Sequence, residues 1–416
     1  MFADVGRWYL GMKKAMNPKS ILSKMMCLAA VFCGAATMQA QFNISQFEVD
    51  GYTVQVHGFA SQGFALSNHN NYLTMDTSNG SARFTDGGIN MSTKLTNKLR
   101  VGAQLYDREI GQLGGGRISL DWAYADYKFN DWLGVRAGKV KTALGLYNDT
   151  QDAEFLHTWA LLPQSIYPTD LRSSLIAHVG VDLYGQIGMK KAGSVSYTAY
   201  GGRRADDKRN GYYFNTQDTG IPINSWVGTL GGVDVHWNTP VSGLMIGGSF
   251  LDEHDNVQCV DQALGATFFL PSNPNRITDG YVDYTLGKLH LNAEYRRNHT
   301  NYDFIIFGQS SYAVQSSSGF FASASYRLTK KIEVGAYNSR FYVDDPANPT
   351  DPYANHIYDQ TVSFRYDLKN WWDVKVEGHF INGYGDIYSA RGLYLRDNPT
   401  LKPTMDMLVV RTGWYF

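Results

Sequence analysis

Ionisable side chains crowd one short stretch of the chain, residues 139–172. Both signs are present, and the members are Lys139, Lys141, Asp149, Asp152, Glu154, Asp170 and Arg172. Opposite charges at such short spacing produce a local electric field, which sorts ions and polar molecules by charge and dipole. The stretch also contains His157 and Ser165, which with Asp170 are the residue types of nucleophilic hydrolysis, but their spacing matches no catalytic signature. The pattern favours electrostatic selection over covalent catalysis.

The balance of these charges does not fix the sign of the preferred ion. Arg136 adds a cation just before the stretch, so its basic residues favour an anion. The four carboxylates lie among them and oppose that preference. Arg100 and Arg108, further upstream, are candidates for the same charged surface. The sequence leaves the sign of the preferred ion open.

Sixteen segments alternate apolar and polar residues with the period of a β-strand. In the segment 98–108, for example, one face is apolar and the other carries Arg100, Gln104, Tyr106 and Arg108. A charged face needs water, whereas the unpaired backbone groups of an open sheet edge cannot face lipid. A closed sheet satisfies both conditions, and sixteen strands leave an aqueous channel. The predicted fold is all-β: a single sixteen-stranded antiparallel transmembrane β-barrel with a water-filled lumen.

The connections between these segments alternate in length. Every second connection is a short turn, and the intervening ones are long and polar. Long connections are predicted at residues 204–226, 253–275, 299–318 and 383–403. Membrane barrels of this kind place short turns on the periplasmic side and longer loops outside. The prolines fall outside every predicted strand, as a hydrogen-bonded ladder requires.

Residues 140–177 form the longest predicted connection, and this one is rich in apolar residues. They are Leu144, Leu146, Phe155, Leu156, Trp159, Leu161, Leu162 and Ile166. A loop surrounded by water would forgo the stabilisation that burial of this apolar surface provides. We expect the loop to fold inwards against the barrel wall. The alternative is an outward loop that packs on neighbouring loops or on another subunit.

The N-terminal region has the pattern of an export signal. A group of lysines precedes the apolar stretch 25–38, which is too short to span a membrane and ends near small residues. We interpret residues 1–40 as an N-terminal extension with a secretory signal peptide and residues 41–416 as the barrel domain. The start of translation and the cleavage site, after Ala36 or Ala40, stay open.

Composition argues against several classes of protein. The formal net charge of −1 gives no reason to expect a nucleic-acid partner. Cys259 is the one cysteine beyond the signal, so no intrachain disulfide is expected. The acidic clusters at residues 252–255 and 344–345 lack the spacing of a calcium-binding loop and are interpreted as solvated loop charge. The sequence therefore implies no cofactor and no metal.

Three motifs resemble a known family. They are residues 138–149 (GKVKTALGLYND), 162–167 (LPQSIY) and 180–185 (GVDLYG). They resemble Gram-negative outer-membrane porins, in particular the DcaP-like porins and relatives near the phosphate-selective porins. The final strand alternates to place Trp414 and Phe416 on one face. This ending resembles the C-terminal signature that the barrel-assembly machinery reads in outer-membrane barrels.

The resemblance implies a homotrimeric, passive diffusion channel in the bacterial outer membrane, in contact with its lipid, for small hydrophilic solutes that include anions. In general porins the third external loop folds into the lumen and narrows it, and residues 140–177 hold that place in this chain. The candidate pore residues are then Arg100, Arg108, Arg136, Lys139, Lys141, Asp149, Asp152, Glu154, Asp170 and Arg172. Phe416 and Trp414 would form the assembly signal. An outer-membrane hydrolase and an adhesin-like surface barrel are the alternative functions.

Overall fold

The computed structural model describes residues 45–49, 51–205, 207–306, 309–344, 349–385 and 391–416. The predicted signal peptide lies outside these residues. Two compact units divide the chain, residues 1–56 and 57–416. In the first unit, β1 (Gln46–Val49) pairs antiparallel with residues 52–55, the beginning of β2. The sequence analysis did not predict β1, because four residues are too few for a periodic signal.

The sheet continues through sixteen longer strands. They are β2 (Tyr52–Ser67), β3 (Ser81–Lys94), β4 (Leu99–Ile110), β5 (Ser119–Asn130), β6 (Leu133–Lys141), β7 (Ala177–Gly188), β8 (Ser194–Arg204), β9 (Ile223–Asn238), β10 (Leu244–Asp261), β11 (Ala266–Leu286), β12 (Leu289–Ile306), β13 (Gln309–Arg327), β14 (Ile332–Val343), β15 (His356–Lys369), β16 (Trp372–Asn382) and β17 (Thr404–Tyr415). Each corresponds to one predicted segment. All of them reach or exceed the length that a tilted strand needs to cross a bilayer.

The sixteen strands form a closed antiparallel barrel, which confirms the predicted fold class. Each strand pairs with the next along the chain, and β9 pairs with β10 over most of their length. Closure is made between the last strand and the first long one, where Arg411 of β17 lies opposite Gly63 of β2. A closed barrel leaves no edge strand whose backbone groups would face lipid unpaired.

Short helices lie in the connections. They are the 3-10 helices η1 (Thr77–Asn79), η2 (Glu154–Leu156), η3 (Thr169–Leu171) and η4 (Lys190–Ala192) and the α-helices α1 (Arg172–Leu175) and α2 (Gly211–Asp218). Within the described ranges, no helix has the length and apolar character needed to cross a membrane. Glycine occurs in one of the shortest turns. Gly287 has φ +60° between β11 and β12, a conformation that two-residue hairpin turns require and that glycine adopts without strain.

The two faces of the barrel wall differ in the manner that the alternation predicts. On β7, Val179, Val181 and Leu183 are 51%, 45% and 47% exposed, whereas Asp182 between them is 1% exposed. On β12 the exposed Leu291 and Tyr295 alternate with buried polar residues. Apolar side chains therefore point outwards and charged ones inwards, the arrangement of a barrel that meets lipid outside and polar groups inside.

Two predicted long loops are wrong. Residues 253–275 and 299–318 belong largely to strands, because β10 with β11 and β12 with β13 extend as long hairpins beyond the other strands. Glu253 and Asp255 made this stretch look like a solvated loop, yet they alternate with outward residues and face Arg204 on the inner side. The sequence of this stretch does alternate with a period of two residues, but the residues at the inward-facing positions are charged. The acidic cluster at 252–255 is thus strand rather than loop.

The rule that prolines avoid the strands also fails in this extension. Pro271 and Pro274 lie within β11. Pairing between β11 and β12 shifts register between Ser272 and Asn275, and this irregularity releases the backbone from the ladder where a proline cannot donate a hydrogen bond.

Candidate functional site

The β6–β7 loop (residues 142–176) contacts the inner face of the barrel on opposite sides. Its apolar residues are buried as expected at Leu144, Trp159, Leu161, Leu162 and Ile166. Leu144 packs with residues of β8 to β11, and Trp159 packs with residues of β13 and β14. Leu156 is an exception to the expectation, with 58% of its surface exposed. A loop that packs against opposite walls crosses the barrel interior.

On the β14–β17 side, wall charges bind the main chain of the loop. Glu377 of β16 accepts hydrogen bonds from the backbone N–H groups of Ala160 and Leu161, at 2.8 and 3.0 Å. Arg365 of β15 donates to the carbonyl oxygens of Phe155 and His157, at 2.9 and 2.7 Å. These contacts depend on the path of the loop backbone rather than on the identity of its side chains.

The same side holds a buried ion pair between the wall and the loop. Lys375 of β16 is fully buried and places its Nζ 2.5 Å from a carboxylate oxygen of Glu154 and 2.7 Å from the Glu154 carbonyl oxygen. Burial favours the neutral form of Glu154, but Lys375 and Arg411 outweigh burial and lower the pKa of its carboxyl group. The ion pair therefore fixes the loop at η2.

On the β4–β6 side, side chains of the loop bind side chains of the wall. Arg172 donates to Asp121 of β5 at 2.8 Å and lies 3.4 Å from Asp152. Asp152 also accepts from Lys141 at 2.5 Å and from Gln104 of β4 at 2.7 Å. Burial would raise the pKa of Asp152, yet Lys141 and Arg172 together hold it well below its usual value. The five side chains form one charged network.

The β10–β12 side completes the attachment. Ser249 of β10 accepts from the backbone N–H of Gly145 at 2.9 Å. Glu294 of β12 accepts from the Tyr167 hydroxyl at 2.5 Å, and Arg296 donates to the carbonyl oxygen of Ile166 at 2.9 Å. Gly145 has φ +71°, and a Cβ there would lie 2.1 Å from the Glu294 carboxylate, so this close approach needs glycine.

The predicted pore residues on the strands fall into different places. Arg108 of β4 reaches the loop, where it donates to the carbonyl oxygen of Thr169 at 2.7 Å. Arg136 of β6 lies away from the loop, between Asp126 and Asp182 at 3.7 and 3.8 Å, with part of its side chain exposed. Arg100 lies at the short-turn end of β4, bonded to Ser92, and does not join the loop network.

Lys139 differs most from its predicted lumen position. It lies opposite the outward-facing Val179 in the ladder, and its Nζ donates to the carbonyl oxygen of Leu120 at 2.6 Å. The alternation of β6 placed Lys139 on the outer face, but its closeness in sequence to Lys141 suggested a common role. Asp149 is an exposed residue whose carbonyl oxygen accepts from Lys141 at 2.8 Å.

Asp170 is part of a contact that the sequence did not reveal. Its carboxylate is fully buried and accepts from the Tyr394 hydroxyl at 2.5 Å and from the Gly392 N–H at 2.8 Å. Asn210, which caps α2, donates to Ser174 of α1 at 3.0 Å. The long connections after β8 and β16 therefore pack on the β6–β7 loop. The apolar run at residues 393–395 was the feature of the sequence that could have indicated this packing.

The candidate hydrolytic residues are not assembled into a catalytic group. The His157 ring bonds to the carbonyl oxygen of Thr150 at 3.0 Å, and burial lowers its pKa to about 4. Ser165 donates to the carbonyl oxygen of Phe320, while Asp170 bonds to Tyr394. Across the described residues, no cluster of three or more His, Cys, Asp or Glu side chains could hold a metal ion.

Two cavities border the β6–β7 loop, one beside β3, β4 and β17 and the other beside β4 to β6. The smaller one, of about 40 Å³, lies between the loop and wall residues that include Asp86, Tyr106, Arg108 and Arg411. The larger one, of about 140 Å³, shares Tyr106 and Arg108 with it and extends to Arg117, Lys139 and Arg209. Both volumes exceed what a single water molecule occupies.

The C-terminal aromatic residues lie at the closure of the barrel. Phe416 exchanges backbone hydrogen bonds with Gly58, at 3.0 and 3.2 Å, and its ring covers Gly58 so closely that a Cβ there would lie 2.5 Å away. Trp414 lies opposite Ala60 and packs on Trp372, with ring centroids 6.3 Å apart. Both residues thus contribute to the seam between β17 and its neighbours.

Comparison with known proteins places this architecture among outer-membrane barrels. No protein-family model matches the chain, and no curated protein matches it by sequence. The solved outer membrane channel DcaP of Acinetobacter baumannii has a TM-score of 0.56 at 10% identity, over 89% of this chain and 100% of that one. The chain has the porin fold.

Two further solved structures share that porin fold. An anion-selective porin from Comamonas acidovorans has a TM-score of 0.53 at 10% identity, over 88% of this chain and all of that one. The trimer form of OmpT, an outer membrane protein of Vibrio cholerae, has a TM-score of 0.52 at 12% identity, over 88% of this chain and all of that one.

Proposed function

We propose that this porin-fold protein is a passive diffusion channel of the bacterial outer membrane for small hydrophilic solutes. The observation that carries the proposal is a closed sixteen-stranded wall with a charged inner face, crossed by the β6–β7 loop. A wall of that size leaves room for an aqueous path even after a loop enters it. The porin fold shared with DcaP and with an anion-selective porin supports this proposal.

The β6–β7 loop is the proposed constriction. Resistance to ion flow is greatest in the narrowest section, where charges act through partly desolvated surroundings and discriminate most strongly. Asp152, Glu154 and Arg172 of the loop all lie against charged wall residues at that level. The smaller cavity, between the loop and residues of β3, β4 and β17, marks a place where the loop does not fit its wall closely, so we place the solute path there.

The charges beside this path favour anions on balance. Arg108, Arg172 and Arg411 line the smaller cavity, together with the carboxylates of Asp86 and Glu154. Asp86 pairs with Arg411 at 2.8 Å, and Glu154 pairs with Lys375, which leaves Arg108 without a carboxylate within salt-bridge distance among the described residues. A small anionic solute would find its compensating charge at Arg108.

A hydrolase is the less favoured function. His157, Ser165 and Asp170 each bond to a different partner, and His157 and Asp170 are buried. An adhesin-like barrel would not need a charged loop across its interior. A homotrimer, a cleaved signal peptide and recognition of Phe416 by the assembly machinery belong to the proposal, and the trimer form of a protein with the same fold supports the first of these.

The test is removal of residues 149–172. In planar lipid bilayers, the deletion should raise single-channel conductance several-fold and weaken discrimination between anions and cations, because the narrow charged section is gone. A matched control shortens the β10–β11 hairpin by its paired residues 257–270, joined by two glycines, which removes chain from the same end without touching the loop. That control should conduct as the parent does.

Heat-modifiable mobility in mild detergent gels would show that both variants still form a closed barrel. Equal conductance and selectivity in the parent and the loop deletion would refute the constriction. Absence of ion current from a correctly closed parent barrel would refute the channel itself.

A further inference from the structure

The larger cavity lies in a gap of the barrel wall. Pairing between β5 and β6 begins at Ala123, opposite Lys139, and continues towards the short turn between them. Residues 119, 120 and 122 of β5 pair with β4, and Asp121 lies at a register shift. None of the four has a partner on β6 in the described register. The cavity of about 140 Å³ fills this gap and is lined by both inward and outward residues.

The lining of this wall cavity is strongly basic. It contains Arg108, Arg117, Lys139, Arg172 and Arg209 against two carboxylates, Asp121 and Asp207. Each carboxylate is already paired, Asp121 with Arg172 at 2.8 Å and Asp207 with Arg209 at 3.2 Å. Three cations therefore lack a carboxylate partner among the described residues.

One of those cations is buried with an unused donor. Arg108 is 5% exposed, and its Nη2 has no hydrogen-bond partner in the part of the chain that the structure describes. A buried donor without a partner costs free energy unless a ligand satisfies it. Multiple Arg and Lys donors around a small cavity are the chemistry that binds phosphate oxygens.

The outer face beside the cavity extends the basic surface towards lipid. Val179 lies between Lys139 of β6 and Arg203 of β8 in the ladder, so these two cations flank it on the outward face. Strands are about 4.8 Å apart, which separates the two by about 10 Å. Ile118 and Leu120, next to the cavity, are 74% and 45% exposed. Cations above apolar surface match the boundary between headgroups and acyl chains.

We propose that the wall cavity with Lys139 and Arg203 binds the phosphate group of a lipid headgroup in the outer leaflet. The cavity lies at the end of the barrel with the long connections, which is the external end in barrels of this class. The phosphate occupies the gap between β5 and β6, where Lys139, Arg117 and the free Nη2 of Arg108 donate to it. The acyl chains lie along the exposed apolar residues of β5 and β7. Free phosphate shares this chemistry but would enter from water and would not need the outward cations.

The test is titration of the purified barrel in mild detergent with lipid A that carries both phosphates, read by native mass spectrometry. A parallel titration uses lipid A from which the phosphates have been removed. The variant Lys139→Gln with Arg203→Gln should bind the phosphorylated lipid about tenfold more weakly than the parent, the order expected for removing charges near an anionic headgroup. The dephosphorylated lipid should bind poorly to both proteins.

The matched control is Lys98→Gln with Lys191→Gln, which removes two exposed cations from the short connections at the opposite end. It should bind lipid A as the parent does, and heat-modifiable mobility should show closed barrels throughout. Equal binding by parent and Lys139/Arg203 variant, or an equal loss in the control, would overturn the proposal. Displacement of lipid A by millimolar inorganic phosphate would assign the cavity to a free anion instead.

Discussion

The two sides of the β6–β7 loop are held by different proportions of backbone and side-chain contacts. On the β14–β17 side, Glu377 and Arg365 bond to backbone amide and carbonyl groups of residues 155–161. On the β4–β6 side, Asp152 and Arg172 of the loop bond to wall side chains. Backbone contacts fix a path, whereas contacts between side chains can rearrange by rotation about side-chain bonds.

The free space beside the loop is unevenly distributed. Both cavities are lined by Tyr106 and Arg108 of β4, and the smaller one extends to Arg411 of β17. Trp159, Leu162 and Tyr337 pack together on the wall formed by β13 and β14. A barrel that must hold a loop firmly and still leave a path can anchor it on one wall and leave the other less closely fitted. The comparison predicts unequal consequences for equivalent substitutions on the two sides.

The largest effect should follow loss of Lys375. Lys375→Met leaves the buried carboxylate of Glu154 without its partner, and breaking one partner of a buried ion pair costs about 3 to 5 kcal/mol. Lys141→Met on the other side removes a cation whose side chain is 16% exposed and leaves Asp152 bonded to Arg172, so it should cost about 1 to 2 kcal/mol. Urea unfolding of the barrel in detergent would measure both free energies.

A second substitution separates the contribution of the ion pair to stability from the contribution of packing. Glu154→Gln combined with Lys375→Met should recover much of the lost free energy of unfolding, because no uncompensated charge remains buried. Equal losses from Lys375→Met and Lys141→Met would remove the distinction between the two sides.

An intermediate effect should follow acidification through His157. Burial lowers the pKa of His157 to about 4 from an ordinary value of about 6.5, so the unfolded chain binds the proton more readily than the folded one. The contribution of His157 to the free energy of unfolding is fully present above pH 6.5, decreases as the pH falls, and is lost below about pH 4. The total loss is roughly 3 kcal/mol. The network at Asp152 stays ionised in this range, because the pKa of Asp152 is held below its usual value.

Comparison of the parent with His157→Gln isolates this contribution from other titrating groups. The free energy of unfolding at pH 7.5, 5.5 and 4 should fall more steeply for the parent than for the variant. His157 belongs to the anchored side, since its carbonyl oxygen accepts from Arg365. Parallel pH profiles would show that the ring is not buried in the assembled protein.

The smallest effect should be a change in selectivity at Arg136. Arg136→Gln leaves Asp126 and Asp182 on β5 and β7 without their shared cation, so the wall there becomes more negative. Reversal potentials in a salt gradient should shift towards cations. Lys208→Gln, on the connection after β8 and bonded to the Asn224 carbonyl oxygen, is the matched control and should shift selectivity less. A larger shift in Lys208→Gln would mean that the outer loops dominate selection.

The number of strands and the faces of the wall followed from the sequence because alternation is a local property. Val179, Val181 and Leu183 are exposed, whereas His178 and Asp182 on the opposite face are buried, as the pattern requires. The β10–β11 extension escaped prediction because Glu253 and Asp255 occupy inner positions, where their partner Arg204 lies far away in the chain. A charged residue whose partner lies far away in the chain has the same local sequence pattern as a residue of a solvated loop.

The sequence by itself determined the closed sixteen-stranded barrel and the burial of most apolar residues of the β6–β7 loop. Period, length and apolar content are all encoded within a few neighbouring residues. Only the tertiary structure decided which wall charges hold that loop, because Glu377 and Ala160 are more than two hundred residues apart in the chain. It also decided that Lys141 reaches the loop at Asp152, whereas Lys139, two residues earlier on the same strand, donates to the Leu120 carbonyl oxygen. Contacts of this kind depend on the strand register and on the gap between β5 and β6. No pattern among neighbouring residues predicts either of them.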